Sequence, residues 1–211
     1  MRALIVLGGD APDKMLLLSC AGYADLKIAA DRGLEAYENA GITPDLLVGD
    51  MDSVDPDLLA RVQGNMQVER LPVHKDDTDG VHALDTAIAR GADQITILGA
   101  LGGRMDHAMA NLMLLVRAHR MGAYAEILDA HLRIVRIDEE ITITGAKGDT
   151  FSLLPLGEAK GVTLEGCYYH SEEELSFDSG YPIGVSNVIT EDDARIQVRE
   201  GDLLFFHTYN A

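Results

Sequence analysis

The chain has 211 residues, 47% of them hydrophobic, and carries 17 Lys+Arg against 35 Asp+Glu for a formal net charge of −18. This length buries a real core in one large or two small domains, and the acidity, with no Lys/Arg-rich run, excludes general nucleic-acid binding. No apolar run reaches membrane-spanning length, the opening run Ala3–Leu7 is too short for a signal-peptide core, and Cys20 and Cys167 form no CxxC pair; a cytoplasmic protein with free thiols and no membrane partner is expected.

Apolar runs predict strands at Ala3–Leu7, Lys27–Ala30, Leu46–Val48, Gln67–Leu71, Gln94–Leu98 and Ala125–Leu128, with helical patterns between them. From Thr78, Val81, Leu84 and Ile88 repeat at helical spacing; after Asp106, Met109, Leu112 and Val116 do the same. Asp55-Pro56 places a capping acid before a proline at the first helical position. This strand–helix alternation predicts an α/β domain over 1–130, a Rossmann-like, mostly parallel sheet with helices on both faces. From 131 to 211 the pattern becomes short runs (HLRIVRI, EITITG, DTFSLLPL, GVTLEG, ARIQVRE, DLLFFHTY) with no amphipathic helix. A small all-β domain, sandwich- or barrel-like, is expected there, with Glu172–Glu174 in a solvated loop.

Ligands of parallel α/β sheets bind beyond the carboxyl ends of the strands, and the acids gather there. AADRG brings Asp31, GDMDS brings Asp50 and Asp52, and HKDDTD brings Asp76, Asp77 and Asp79; the fifth strand runs into GALGGRMDHAMAN with Arg104, Asp106 and Asn111. Asp50 and Asp52 are two apart, so in extended chain they share a face with Cα atoms ~6.6 Å apart. Such carboxylates repel one another unless protonated or metal-bound, and hard oxygens favour Mg²⁺ completed by water and substrate phosphate. Asp55 caps a helix in this reading, and Asp76, Asp77 or Thr78 caps the one that follows. Gly99, Gly102 and Gly103 either make a plain strand-to-helix turn or let backbone N–H groups approach an anion; Arg104 either pairs with Asp106 or clamps phosphate. GGDAPDKM lacks the GK[ST] ending of a P-loop, and GxSxG and HExxH are absent. His74, His82, His107 and His119 show no metal-ligand spacing.

AADRG, PDLLVGDMDS, KDDTD, GALGGRMDHAMAN and GVSN (184–187), in this order over nearly the whole chain, resemble the thiamine pyrophosphokinase family. The resemblance implies transfer of the pyrophosphoryl group of ATP to the hydroxyl of thiamine, giving thiamine diphosphate and AMP, in a homodimer whose active site lies at the subunit interface. It implies Mg²⁺ held by Asp50, Asp52 and Asp79, with Asp77 in support. It puts Asp31 and Asp106 near the reacting centre and Arg104 on phosphate, with Gly102, Gly103 and Asn111 along the nucleotide; Arg32 either points outward or adds a phosphate contact. It sets Ser186 and Asn187 on the thiamine side. Arg32 stands where the family often has a second glycine, and the chain lacks the tryptophan that some members place near the vitamin. Which aspartate takes the hydroxyl proton is open. Rival readings of the acids are a Mg²⁺-dependent phosphatase, a nucleotide-sugar transferase and a non-catalytic nucleotide sensor.

Overall fold

The computed structural model describes residues 1–72 and 77–209; His74 and Asp76 of the HKDDTD stretch lie outside the described residues. The protein is a mixed α/β chain of two compact units, Met1–Ala130 and His131–Ala211. Among the described residues no helix is long and apolar enough to cross a membrane.

The first unit runs β1 (Arg2–Val6), α1 (Lys14–Tyr23), β2 (Leu26–Ala30), α2 (Gly33–Ala40), β3 (Leu46–Gly49), α3 (Pro56–Val62), β4 (Gln67–Arg70), α4 (Asp79–Ala89), β5 (Gln94–Leu98), α5 (Met105–Arg120) and β6 (Tyr124–Asp129). Its strands pair in parallel in the order β4-β3-β2-β1-β5-β6. The register lines Ile97, Ile5, Ile28 and Leu46 across neighbouring strands, all buried. Side chains alternate along a strand, so Leu4, Val6, Ala29 and Leu47 face the other way. There they join Leu17 of α1, Leu34 and Tyr37 of α2 and Leu58 of α3 in one apolar cluster. The Tyr37 hydroxyl donates to Leu4 O at 3.2 Å, which satisfies its one polar atom inside that cluster. α4 packs against β1, β2 and β3, and α5 against α4 and β6.

Local chemistry sets the helix starts. Asp13 accepts from Met15 and Leu16 N–H, Asp55 from Asp57 and Leu58 N–H with Pro56 behind it, and Thr78 from Val81 N–H. α2 stops at Gly41, which takes the left-handed conformation of a helix C-terminus. In α5 the buried residues are Leu114, Leu115, Val116 and Ala118, and Met109 is 55% exposed. The inward phase expected for Met109 is therefore wrong, because the first half of this long helix stands away from the core.

The second unit contains β7 (Leu132–Ile137), β8 (Glu140–Thr144), β9 (Thr150–Glu165), β10 (Ser171–Asp178), β11 (Asn187–Val188), β12 (Asp193–Gln197) and β13 (Glu200–Thr208). The antiparallel order is β7-β13-β9-β12-β8, with β10 and β11 also on β9. DTFSLLPL and GVTLEG, expected as separate runs, are one 16-residue strand. Gly157 and Gly161, at φ 91° and 65°, bend it without ending it, so it pairs with different partners along its length. Glu172–Glu174 belong to β10 rather than a loop. The core of this unit gathers Val135, Phe151, Leu153, Phe177, Ile196 and Phe205.

Candidate active site

A cleft of about 690 Å³ opens at the carboxyl ends of the parallel strands in the first unit. The ends of β1, β2, β3 and β5 contribute to it: Leu7–Gly9 after β1, Ala30–Arg32 at the end of β2, Ser53 after β3, and Ala100 and Gly102–Arg104 after β5, with Thr78–Gly80 at the start of α4. Asp106, His107, Ala110 and Asn111 of α5 close one wall. The two glycine-rich strand ends are tied together, Gly9 N–H to Gly99 O at 2.9 Å and Asp10 N–H to Leu101 O at 2.8 Å.

Asp31 is the most constrained group here. It sits in the left-handed region at φ 45°, with its N–H on Val48 O at 3.0 Å and its own carbonyl accepting from Leu34 N–H. Its carboxylate lies against Gly49, where a Cβ would come within 1.8 Å of Oδ1, so residue 49 must be glycine for Asp31 to stand there. Burial, then the hydrogen bond and charge of Asp79, then the charge of Asp50 push its pKa up to about 7; the Met51 N–H opposes them. Its Oδ1 is buried without a hydrogen-bond partner among the described residues. An acid crowded by two others, with one buried oxygen unpaired among the described residues, has the chemistry to accept a cation.

Asp50 is half-buried and accepts the Asp52 N–H on Oδ1 at 3.0 Å, so the GDMDS turn folds on its own first acid. Met51 between them takes φ 67°. Asp52 is exposed on this turn. Asp79 opens α4 and joins Asp31. Asp77 is exposed, does not line the cleft, and its charge acts on Arg117. Asp31, Asp50 and Asp79 are thus brought together. Among the described residues no group of three or more His, Cys, Asp or Glu side chains is placed to hold a metal ion by itself.

Arg104 stands across the cleft, 71% exposed at its side chain, forked onto Asp106 through Nε–Oδ1 at 3.2 Å and Nη2–Oδ2 at 2.5 Å. That pairing holds Asp106 below the usual carboxylate range and raises Arg104. Gly102 and Gly103 precede it at φ 83° and 62°, and a Cβ on Gly102 would strike the Asp10 carboxylate at 1.9 Å. Asn111 donates Nδ2 to Ala100 O at 2.7 Å, bracing the loop from α5. Arg32 pairs loosely with Glu35 at 3.8 Å. Ser186 and Asn187 lie in the second unit. Ser186 takes φ 61° and gives its N–H to Ser152 Oγ, and Asn187 is buried with its amide bonded inside the fold. Gly8, Gly9, Ser53 and His107 also line the cleft and were not anticipated; the glycine pair closing the first strand was the available signal.

Residues 19–127 match the family model described as thiamin pyrophosphokinase, catalytic domain, and residues 134–203 the one described as thiamin pyrophosphokinase, vitamin B1 binding domain. The thiamine pyrophosphokinase of Bacillus subtilis (strain 168) is 33% identical over 129 residues, 59% of this chain and 59% of that relative. Thiamine pyrophosphokinase 1 of Oryza sativa subsp. japonica is 27% identical over 184 residues, 77% of this chain and 65% of that relative. The matches therefore span less than two thirds of either curated relative's length. The solved structure of thiamine pyrophosphokinase from Bacillus subtilis superposes at a TM-score of 0.85 with 25% identity and covers 100% of both chains.

Proposed function

Because this chain belongs to the thiamin pyrophosphokinase family, we propose that it transfers the terminal pyrophosphoryl group of ATP to the hydroxyethyl oxygen of thiamine, releasing AMP and thiamine diphosphate. The observation that carries the reading is the lining of the cleft, which brings Asp31 and Arg32 after β2, Asp79 at the head of α4 and Arg104 with Asp106 after β5 around glycine-rich backbone. Phosphoryl transfer asks for positioning and charge neutralisation more than for a nucleophilic side chain. The first unit reads as the Rossmann-like nucleotide domain with helices on both faces, the second as a sandwich- or barrel-like vitamin domain. A homodimer with the active site at the subunit interface and a cytoplasmic location belong to the same proposal.

Asp50, Asp52 and Asp79 would hold Mg²⁺, with Asp77 behind them and the orphaned Asp31 Oδ1 adjoining. Bound there, the ion neutralises triphosphate charge and orients it. Gly102 and Gly103 bring the chain close to an anion at the head of α5. Arg104 exchanges its Asp106 partner for phosphate oxygens, and its forked donors fix their orientation. Arg32 flanks the nucleotide, and Asn111 keeps the loop in place. Asp31, which lines the cleft with its pKa pushed up to about 7 by burial and the neighbouring acids, is the acid that takes the hydroxyl proton in this reading.

Phosphorus NMR with ATP, Mg²⁺ and thiamine tests this. Thiamine-dependent AMP and thiamine diphosphate, abolished by Asp50→Asn, are expected. ADP or free phosphate would replace the reading with another phosphotransferase or a phosphatase.

A further inference from the structure

The hydrogen-bonded ladder between β1 and β5 continues beyond the strands. Past the last paired residues, Val6 and Leu98, Leu7 N–H donates to Leu98 O at 2.9 Å, Gly9 N–H to Gly99 O at 2.9 Å and Asp10 N–H to Leu101 O at 2.8 Å. The two loops close up in this way only because side chains are missing. A Cβ on Gly9 would come within 2.3 Å of Leu101 O and 2.5 Å of Gly99 O, and a Cβ on Gly99 within 2.5 Å of Leu7 O. Ordinary contact needs about 3.5 Å. The loop that leads to Arg104 is therefore bound along one side to the loop after β1.

One side chain enters this junction. The Asp10 carboxylate stands where a side chain of residue 102 would be: a Cβ on Gly102 would fall 1.9 Å from its Cγ, 2.0 Å from Oδ2 and 2.3 Å from Oδ1. Glycine loses more conformational freedom on ordering than any other residue, and Gly102 and Gly103 stand in succession before Arg104 at φ 83° and 62°. Such a turn keeps its N–H groups aimed only if something outside it limits its motion. The Asp10 N–H fixes Leu101, the Asp10 carboxylate blocks Gly102 on one side, and Asn111 braces Ala100 from α5. Asp10 is itself anchored close by, three residues before Asp13, the cap of α1. It does not line the cleft, and a carboxylate gains nothing from a nearby phosphate charge. What it supplies to the turn is shape.

We propose that Asp10 is a positioning residue for the nucleotide: its side chain seats the Gly102–Gly103 turn from outside the cleft, and so sets where the N–H groups of that turn and Arg104 meet the triphosphate, without touching the substrate. This rests on the ATP reading above. Gly102 is then a glycine for two reasons, its positive φ and the carboxylate that fills its side-chain space.

Calorimetry of ATP·Mg²⁺ binding without thiamine tests this, with steady-state kinetics and melting temperatures on the same variants. Asp10→Ala should weaken ATP·Mg²⁺ binding and raise the ATP KM about tenfold, short of the roughly 100-fold that a 1 Å misplacement can cost. The thiamine KM and the melting temperature should stay at the parent values, because Asp10 is exposed and its backbone bond remains. Asp10→Asn, which keeps the shape and drops the charge, should bind ATP·Mg²⁺ at least as tightly as the parent. Gly102→Ala should bind poorly, and adding Asp10→Ala, which clears the carboxyl atoms from the path of the new Cβ, should make it bind more tightly, the reverse of two independent losses. Parent-like affinity in Asp10→Ala, or a double variant weaker than Gly102→Ala, would overturn the seat and leave the transferase reading standing. Asp10→Asn as weak as Asp10→Ala would overturn it as well, since charge rather than shape would then act on the loop. An equal rise in both KM values with a fall in melting temperature would reduce Asp10 to a residue of the fold. The expected binding pattern with no thiamine diphosphate formed would uphold the seat and remove the transferase reading.

Discussion

Replacing Gly49 by alanine should disturb the site through Asp31, and the structure supplies the size of the effect. The new Cβ would lie 1.8 Å from Asp31 Oδ1 and 2.6 Å from its carboxyl carbon, where ordinary contact needs about 3.5 Å. Gly49 also holds φ 150°, a region that costs a residue with a Cβ about 1–3 kcal/mol. Overpacking against Asp31 adds about 1–3 kcal/mol, so Gly49→Ala should lose roughly 2–6 kcal/mol in urea unfolding of EDTA-treated protein. Asp31→Ala empties the space that the Cβ invades. In the double variant only the backbone part remains, so the cycle should show a favourable coupling of about 1–2 kcal/mol. Strict additivity would refute the argument, because it would mean that Asp31 does not occupy the volume that requires a glycine.

Asp31 also predicts a pH dependence. A carboxyl near 4 in the unfolded chain and about 7 in the fold favours folding while protonated. Stability of metal-free protein should therefore be highest, for this group, below pH 4, fall as pH rises from about 4 to 7, and level off above. Because the carboxyl is only half-buried, solvent screening leaves a penalty of about 1–2 kcal/mol; Asp31→Asn should flatten the trend of melting temperature against pH. Asp106→Asn should leave the melting temperature unchanged and tighten ATP binding by calorimetry, since Arg104 no longer has to leave a charged partner; unchanged affinity would show that Arg104 does not meet phosphate. Asp55→Ala should cost about 1 kcal/mol in urea unfolding, the worth of a helix cap, with the KM for ATP unaffected.

The parallel strands of the first unit were legible in the sequence because the buried runs of β1, β2, β3, β5 and β6 are followed by glycine or a charge; predicted and observed limits differ by a residue or so. The caps at Asp55 and Thr78 were legible for a chemical reason, since a short polar side chain before an apolar repeat has few other uses. Where sequence reading failed, the deciding contacts were long-range. Gly157 and Gly161 read as punctuation, yet β9 passes through both because β13 and β10 pair with it on either side of the bend. Three consecutive glutamates read as a loop, although β10 is stabilised by pairing with β9 and buries only Phe177. For Asn187, set on the thiamine side by resemblance, the hydrogen bonds of its amide to the Tyr169 backbone were not legible in the sequence.

The strand order explains why opposite charges can face one cleft without cancelling. From β1 the chain builds outward through β2 and β3 to β4, then returns past β1 to place β5 on its other side. Ligands of open α/β sheets bind where the order reverses in this way. The strand ends on the β2–β3 side bring Asp31, Arg32, Asp50 and Asp52, and the head of α4 adds Asp79; the β5 side brings Arg104 with Asp106. The gap between is spanned by the Gly8–Gly9 and Gly102–Gly103 backbones. Arg104 consequently pairs with Asp106, two residues away, rather than with the central acids. Asp31 is crowded by Asp50 and Asp79, with one buried oxygen unpaired among the described residues. Crowding carboxylates in a cleft while Arg104 pairs elsewhere is a local choice that stability alone does not favour, and such choices collect at functional sites.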